Sequence, residues 1–163
     1  MITVRRATRL DLDDMASLLN EIIAAGGTTA LTRAVTADDL GARIDSSGDR
    51  GAWHVALDGQ DRVVGFQWIA PNTDLPPEAA DIATFVQTGQ TGLGIGSALF
   101  DATKEAAMAL GYGWINATIR ADNEGGQIYY QSRGFEDYGM IRDVPLSSGL
   151  RVDKRLKRYD LGI

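Results

Sequence analysis

Four glycines fall within the eight positions from Gly89 to Gly96, inside the stretch QTGQTGLGIGSALF that spans residues 87–100. Glycine loses more conformational freedom on folding than any other residue, so backbone this bare implies something that must approach it closely. The stretch follows the β-rich run ADIATFV and leads into an apolar run with helical spacing. A strand, a glycine turn and a helix start together form an anion site: unpaired amides point at the ligand, and the helix dipole favours negative charge. What the chain lacks narrows the rest. It has no cysteine and a single histidine, His54, so disulfides, zinc clusters, thiol nucleophiles and Ser-His-Asp triads are excluded or nearly so. His54 lies in WHVAL, where alternation makes it a structural strand residue. The chemistry left is that of carboxylates, hydroxyls and backbone amides, with no metal expected.

Two of the known phosphate loops do not fit. The P-loop needs Lys and then Ser or Thr after its last glycine, and here Ile95 follows Gly94. The dinucleotide fingerprint G-x-G-x-x-G, begun at Gly92 or Gly94, puts Ser97 or Leu99 where its third glycine belongs. No carboxylate ends the next strand to hold a ribose, because WINATIR reaches Asp122 only after Ala121.

The elements that must position this loop follow from periodicity and stop signals. Ile2 to Ala7 alternates as a short strand, and T-R-L-D from Thr8 is a capping-box variant. Leu12, Met15, Leu19, Ile22 and their neighbours keep helical spacing until GGTT. A second helix starts after Thr36 and dissolves at SSGDRG. WHVAL and RVVGFQWIA form a hairpin across DGQD, and ADIATFV is a further strand. Beyond the glycine loop, a helix runs from Ile95 to a stop at Gly111. WINATIR is a strand, and a helix capped by Asp122 or Asn123 reaches about Arg133. FEDYGMI and residues 151–161 supply the last strands, joined through DVPLSSG. The order β-α-α-β-β-β-α-β-α-β-β, without repeat or linker, predicts one α+β domain over residues 1–163: a mixed, mostly antiparallel twisted sheet flanked by helices.

The loop G-L-G-I-G-S-A-L after an extended strand resembles the pyrophosphate loop of the GCN5-related N-acetyltransferases (GNAT), Q/R-x-x-G-x-G/A. Gly94 and Gly96 take the two small positions, and Thr91 departs from the Q/R. NEGGQIYYQSRGF keeps that family's next signature in Asn123, Tyr130, Gly134 and Phe135. The segment LLNEIIAAGGTTALTRAVTADDL is similar to the acceptor-lining region of phosphinothricin-type acetyltransferases. The resemblance implies acetyl-CoA as acyl donor, with backbone at Phe85 and Val86 on the pantetheine arm and the Asn123 side chain also holding it. Amides from Thr91 through Gly92, Leu93, Gly94, Ile95 and Gly96 to Ser97 would take the pyrophosphate. Tyr130 is implied as the acid, Asp81 as the base with Glu78, Glu21 and His54 in reserve, and Asn20, Thr28 and Thr29 as acceptor-binding residues.

Composition agrees with a small-molecule enzyme. Net charge is −6 and the pI near 4.7, against the basic face of a nucleic-acid binder. The one basic cluster, Lys154, Arg155, Lys157 and Arg158, reads as a solvated edge strand. With no apolar run of membrane-spanning length and no secretory signal, the chain is expected in the cytoplasm. The family resemblance adds a homodimer, with a small-molecule amine as substrate. A protein N-terminal or lysine acetyltransferase, and a non-catalytic acyl-CoA sensor, are the competing functions.

Overall fold

Alternation along the chain is realised as seven strands in one sheet, seen in a computed structural model that describes residues 1–90 and 94–162. The elements are β1 (Thr3–Arg6), α1 (Leu12–Ala25), α2 (Ala37–Ser47), β2 (Ala52–Leu57), β3 (Val63–Ala70), β4 (Ala79–Val86), α3 (Ile95–Ala109), β5 (Trp114–Arg120), α4 (Glu124–Ser132), β6 (Glu136–Pro145) and β7 (Arg151–Asp160). The sheet order is β1-β2-β3-β4-β5-β7-β6, antiparallel throughout except for the β4–β5 pair. The expected architecture and element order are found.

Period two decides which face each strand residue takes. Trp53, Phe66, Trp68 and Phe85 pack with α1 and Leu40 of α2 on one face. Ala80, Ile82, Ile115 and Ile119 pack with Phe100 of α3 and Tyr130 of α4 on the other. The first face carries an aromatic ladder: Trp53 stacks on Trp68 at 4.2 Å between centroids, and Phe85 lies 5.0 Å from Phe66 and 5.4 Å from Trp68. Each such pair adds about 1 kcal/mol beyond its burial, which ties β2, β3 and β4 together through their side chains.

Helix ends obey their local chemistry. Asp11 accepts the Thr8 N–H at 2.7 Å and a two-pronged contact from Arg5 at 2.8 and 2.9 Å. Arg5 is the main reason its carboxyl is held below the ordinary aspartate value. Thr36 and Asp39 cap α2 reciprocally, at 2.9 and 3.0 Å. Asn123 rather than Asp122 caps α4, accepting from the Gly126 N–H at 3.0 Å.

Two expectations are corrected. The basic segment is not an edge: β7 lies between β5 and β6, and β6 is the outer strand. Lys157 is buried there and pairs with Asp137 of β6, so a neighbouring carboxylate substitutes for solvent. DVPLSSG is only partly a turn, since β6 runs on to Pro145. Register shifts at Asp137/Gly139 and Ile141/Val144 keep β6 paired with β7 as far as Pro145.

Candidate active site

The sheet opens where the chemistry was expected. β4 and β5 pair at only three positions, Ala79 with Trp114, Ala80 with Ile115 and Asp81 with Asn116. From Ile82 to Val86, β4 continues alongside β3 alone, while β5 continues alongside β7. Among the described residues, the edge of β4 that faces the opening therefore has no strand partner beyond Asp81. Backbone groups left so are an obligatory hydrogen-bonding surface, suited to an amide-bearing ligand laid beside the strand.

β4 points from this opening into the start of α3. Gly94 is the N-cap, at φ +76° in the left-handed region that glycine alone enters freely. The first-turn amides of Ile95, Gly96 and Ser97 have no intrahelical acceptor. Gly96 has a second reason to lack a side chain: a Cβ there would lie 2.6 Å from Tyr129 Cε1. Thr91, Gly92 and Leu93 lie outside the described residues.

Tyr130 is buried on the α3/α4 side, packed edge-on against Tyr129 and Phe135. Its hydroxyl is 2.8 Å from Thr84 Oγ1 on β4. Burial pushes the Tyr130 phenol well above the ordinary tyrosine value, and the Asp81 carboxylate adds to the rise. It remains protonated at neutral pH. Thr84 accepts from Gln67 Nε2 at 2.8 Å, and Gln67 also donates to Tyr129 Oη at 3.1 Å. Tyr129 in turn donates to the Gly96 carbonyl at 2.7 Å, and burial lifts its phenol to about 12.

Asp81 reaches the opening from the other face. Ala83 and Phe85, two and four residues on, pack on the α1 side, and Asp81 shares their parity. Its carboxylate accepts from Asn72 Nδ2 at 3.1 Å and Asn116 Nδ2 at 3.0 Å, and Tyr138 donates to Asn116 Oδ1. Two neutral amides hold the carboxylate in place. The predicted acid and base thus meet the gap from opposite sides of the sheet.

The acceptor-binding candidates hold the segment between α1 and α2. Asn20 clasps the backbone of Val35 with both side-chain atoms, at 2.9 and 2.8 Å. The Thr28 carbonyl accepts from Asn123 Nδ2 at 2.9 Å, and the Thr29 carbonyl from Arg120 at 3.0 Å. Arg120 is buried and paired with Asp122. Asn20 and Asn123 therefore spend their side chains on positioning the loop and capping α4. Of the reserve bases, Glu78 is exposed ahead of β4, and Glu21 opens onto a groove of about 510 Å³ shared with Asp14, Asp58 and Gln87. His54 is buried on the α3 side, where burial holds it down to about 4 and neutral.

The family model described as the acetyltransferase (GNAT) family matches residues 16–135. The chain belongs to the GNAT acetyltransferase family. It is similar to YwnH of Bacillus subtilis (strain 168), whose name assigns it provisionally to phosphinothricin acetylation, at 26% identity over 166 residues, covering 99% of this chain and 96% of that protein. The fold matches a Sinorhizobium meliloti phosphinothricin acetyltransferase solved with AcCoA, with a TM-score of 0.87 and 21% identity over 99% of this chain and 89% of that one. It also matches an N-acetyltransferase from Staphylococcus aureus Mu50, with a TM-score of 0.88, 22% identity and 99% of each chain covered. This GNAT protein is thus an acetyltransferase, similar to the phosphinothricin type.

Thr84, Gln67, Asn116 and Tyr138 escaped the sequence reading. Asn116 carried a usable signal, a polar side chain in the middle of the apolar run WINATIR. Thr84 carried none, since threonine is an ordinary strand residue.

Proposed function

We propose that this acetyltransferase moves the acetyl group of acetyl-CoA onto the primary amine of a small molecule or amino acid by direct transfer in a ternary complex. The observation that carries the reading is the β4–β5 opening, with a protonated phenol on one face and an amide-held carboxylate on the other. Acetyl-CoA, when bound, supplies the thioester carbonyl that the amine attacks. The free edge of β4 at Phe85 and Val86 would hold its pantetheine amides. The amides of Gly94 and of the first turn of α3, Ile95 to Ser97, would hold its pyrophosphate.

Asp81 takes the proton that the amine nitrogen sheds as the C–N bond forms. Tyr130 gives its proton to sulfur as the C–S bond breaks, and both groups are reset by solvent. Without cysteine, the chain offers no thiol to carry an acetyl group. Tie points at Val35, Thr28 and Thr29, with Thr32 touching Ser147, bring the α1–α2 segment across this side of the sheet. That cover favours a small acceptor over a protein chain.

The test is steady-state kinetics with both substrates varied. Intersecting initial-rate lines are expected, together with losses of about 100-fold or more in kcat for Tyr130→Phe and Asp81→Asn and acetyl-CoA affinity retained in both. An acetylated enzyme formed from acetyl-CoA alone would overturn direct transfer. Turnover by Tyr130→Phe at the parent rate would remove Tyr130 from the reaction.

A further inference from the structure

The hydrogen bonds around Tyr130 form a chain whose direction is fixed at its far end. The Gly96 carbonyl can only accept, and Tyr129 Oη lies 2.7 Å from it, so the single proton of Tyr129 is committed there. Tyr129 must therefore accept from its other neighbour, Gln67, at 3.1 Å, and the part of the Gln67 amide that faces it is the NH2. That same NH2 lies 2.8 Å from Thr84 Oγ1, which must accept as well. Thr84 keeps one proton of its own, and the one hydrogen-bond partner left for it among the described residues is Tyr130 Oη at 2.8 Å, a contact in which either hydroxyl can donate.

We infer that Tyr129, Gln67 and Thr84 are positioning residues that make Thr84 the donor to Tyr130. The Tyr130 proton is thereby left uncommitted to any acceptor among the described residues and available to the departing thiolate. The chemical use of that proton rests on the function proposed above; the direction of the chain is a property of the unliganded protein. Gln67 is fully buried and its Oε1 has no partner among the described residues, so its two donor contacts alone orient the amide. Turned over, Gln67 would accept from Thr84, Thr84 would accept from Tyr130, and the acid would be tied up. The chain also gives Tyr129 a role beyond packing, and it links the acid to the first turn of α3 through the Gly96 carbonyl.

Neutron diffraction from crystals exchanged into heavy water reads the direction without any substrate. A deuteron on Thr84 Oγ1 directed at Tyr130 Oη, with the Tyr130 deuteron off that line, is expected. A Tyr130 deuteron directed at Thr84, or a Gln67 carbonyl facing Tyr129, overturns the inference. This result stands even if no amine proves to be a substrate, which separates its failure from that of the proposed function. Where turnover is measurable, Thr84→Val and Gln67→Met lower kcat by about 10-fold, a fraction of the full acid contribution. Acetyl-CoA affinity stays within about twofold, and Thr84→Ser recovers most of the Thr84→Val loss. Variants that melt earlier yet turn over at the parent rate would show a role in packing alone, and would overturn the inference.

Discussion

Replacing Gly96 with alanine sets two effects of known size against each other. Gly96 is helical, so alanine gains about 1 kcal/mol of helix propensity. Its Cβ, however, would lie 2.6, 3.2 and 3.3 Å from Tyr129 Cε1, Cζ and Cδ1, where carbon atoms prefer about 3.5–4.0 Å. The ring must retreat by about 1 Å, and it has little freedom to do so. It stands edge-on to Tyr130 at 4.9 Å, and its hydroxyl is held by the Gly96 carbonyl and Gln67. Overpacking of this kind costs about 1–3 kcal/mol, and each of the two buried hydrogen bonds lost costs about 1 more. The clash wins, with a net destabilisation of about 3 kcal/mol. At about 2–4 °C per kcal/mol for a chain of this size, Tm falls by about 6–12 °C. Circular dichroism melts and urea titrations measure the change. The same substitution made in a Tyr129→Ala background should be neutral or stabilising, because the obstacle is gone. The resembling family's pattern allows Gly or Ala at this position, so the expected intolerance comes from Tyr129 and not from the loop pattern itself. A Gly96→Ala protein as stable as the parent would refute the reasoning.

Acid should weaken the fold through His54. Burial holds His54 at about 4 in the folded protein, against about 6.5 for an ordinary imidazole, so the unfolded chain takes up the proton first. Stability is whole above about pH 6.5 and falls as pH drops toward 4, by up to about 3 kcal/mol. His54→Gln should flatten the urea-derived stability curve across that window, and an unchanged slope would absolve His54. Asn123→Ala removes the α4 cap and the tie to the Thr28 carbonyl, with an expected stability cost of about 1–2 kcal/mol. Loosening of the α1–α2 segment should also raise the KM for the amine more than it lowers kcat; a lost cap with amine KM unchanged would show that the tie is idle.

The sequence carried the elements and hid the opening. Glycine stops at Gly111 and Gly134, capping at Thr36 and alternation in ADIATFV and WINATIR are local signals, and each is realised where it was read. The β4–β5 gap is not local. ADIATFV and WINATIR alternate in the same way whether they pair along three residues or seven, so no pattern in either strand announces where pairing ends. Thr84 gains its importance only when α4 brings Tyr130 against it from 46 positions away in sequence. The basic strand was misplaced for a similar reason. The four basic residues around Leu156 read as an exposed edge, and only Asp137 across the pairing shows that Arg155 and Lys157 face a carboxylate.

Release of free thiol from acetyl-CoA across a panel of amines tests the central claim most directly. With no cysteine in the chain, every thiol detected comes from the coenzyme. The account predicts release that depends on a small primary amine or amino acid, one thiol for each N-acetylated product found by mass spectrometry. Tight binding of acetyl-CoA with no release to any amine, amino acid or peptide would contradict it.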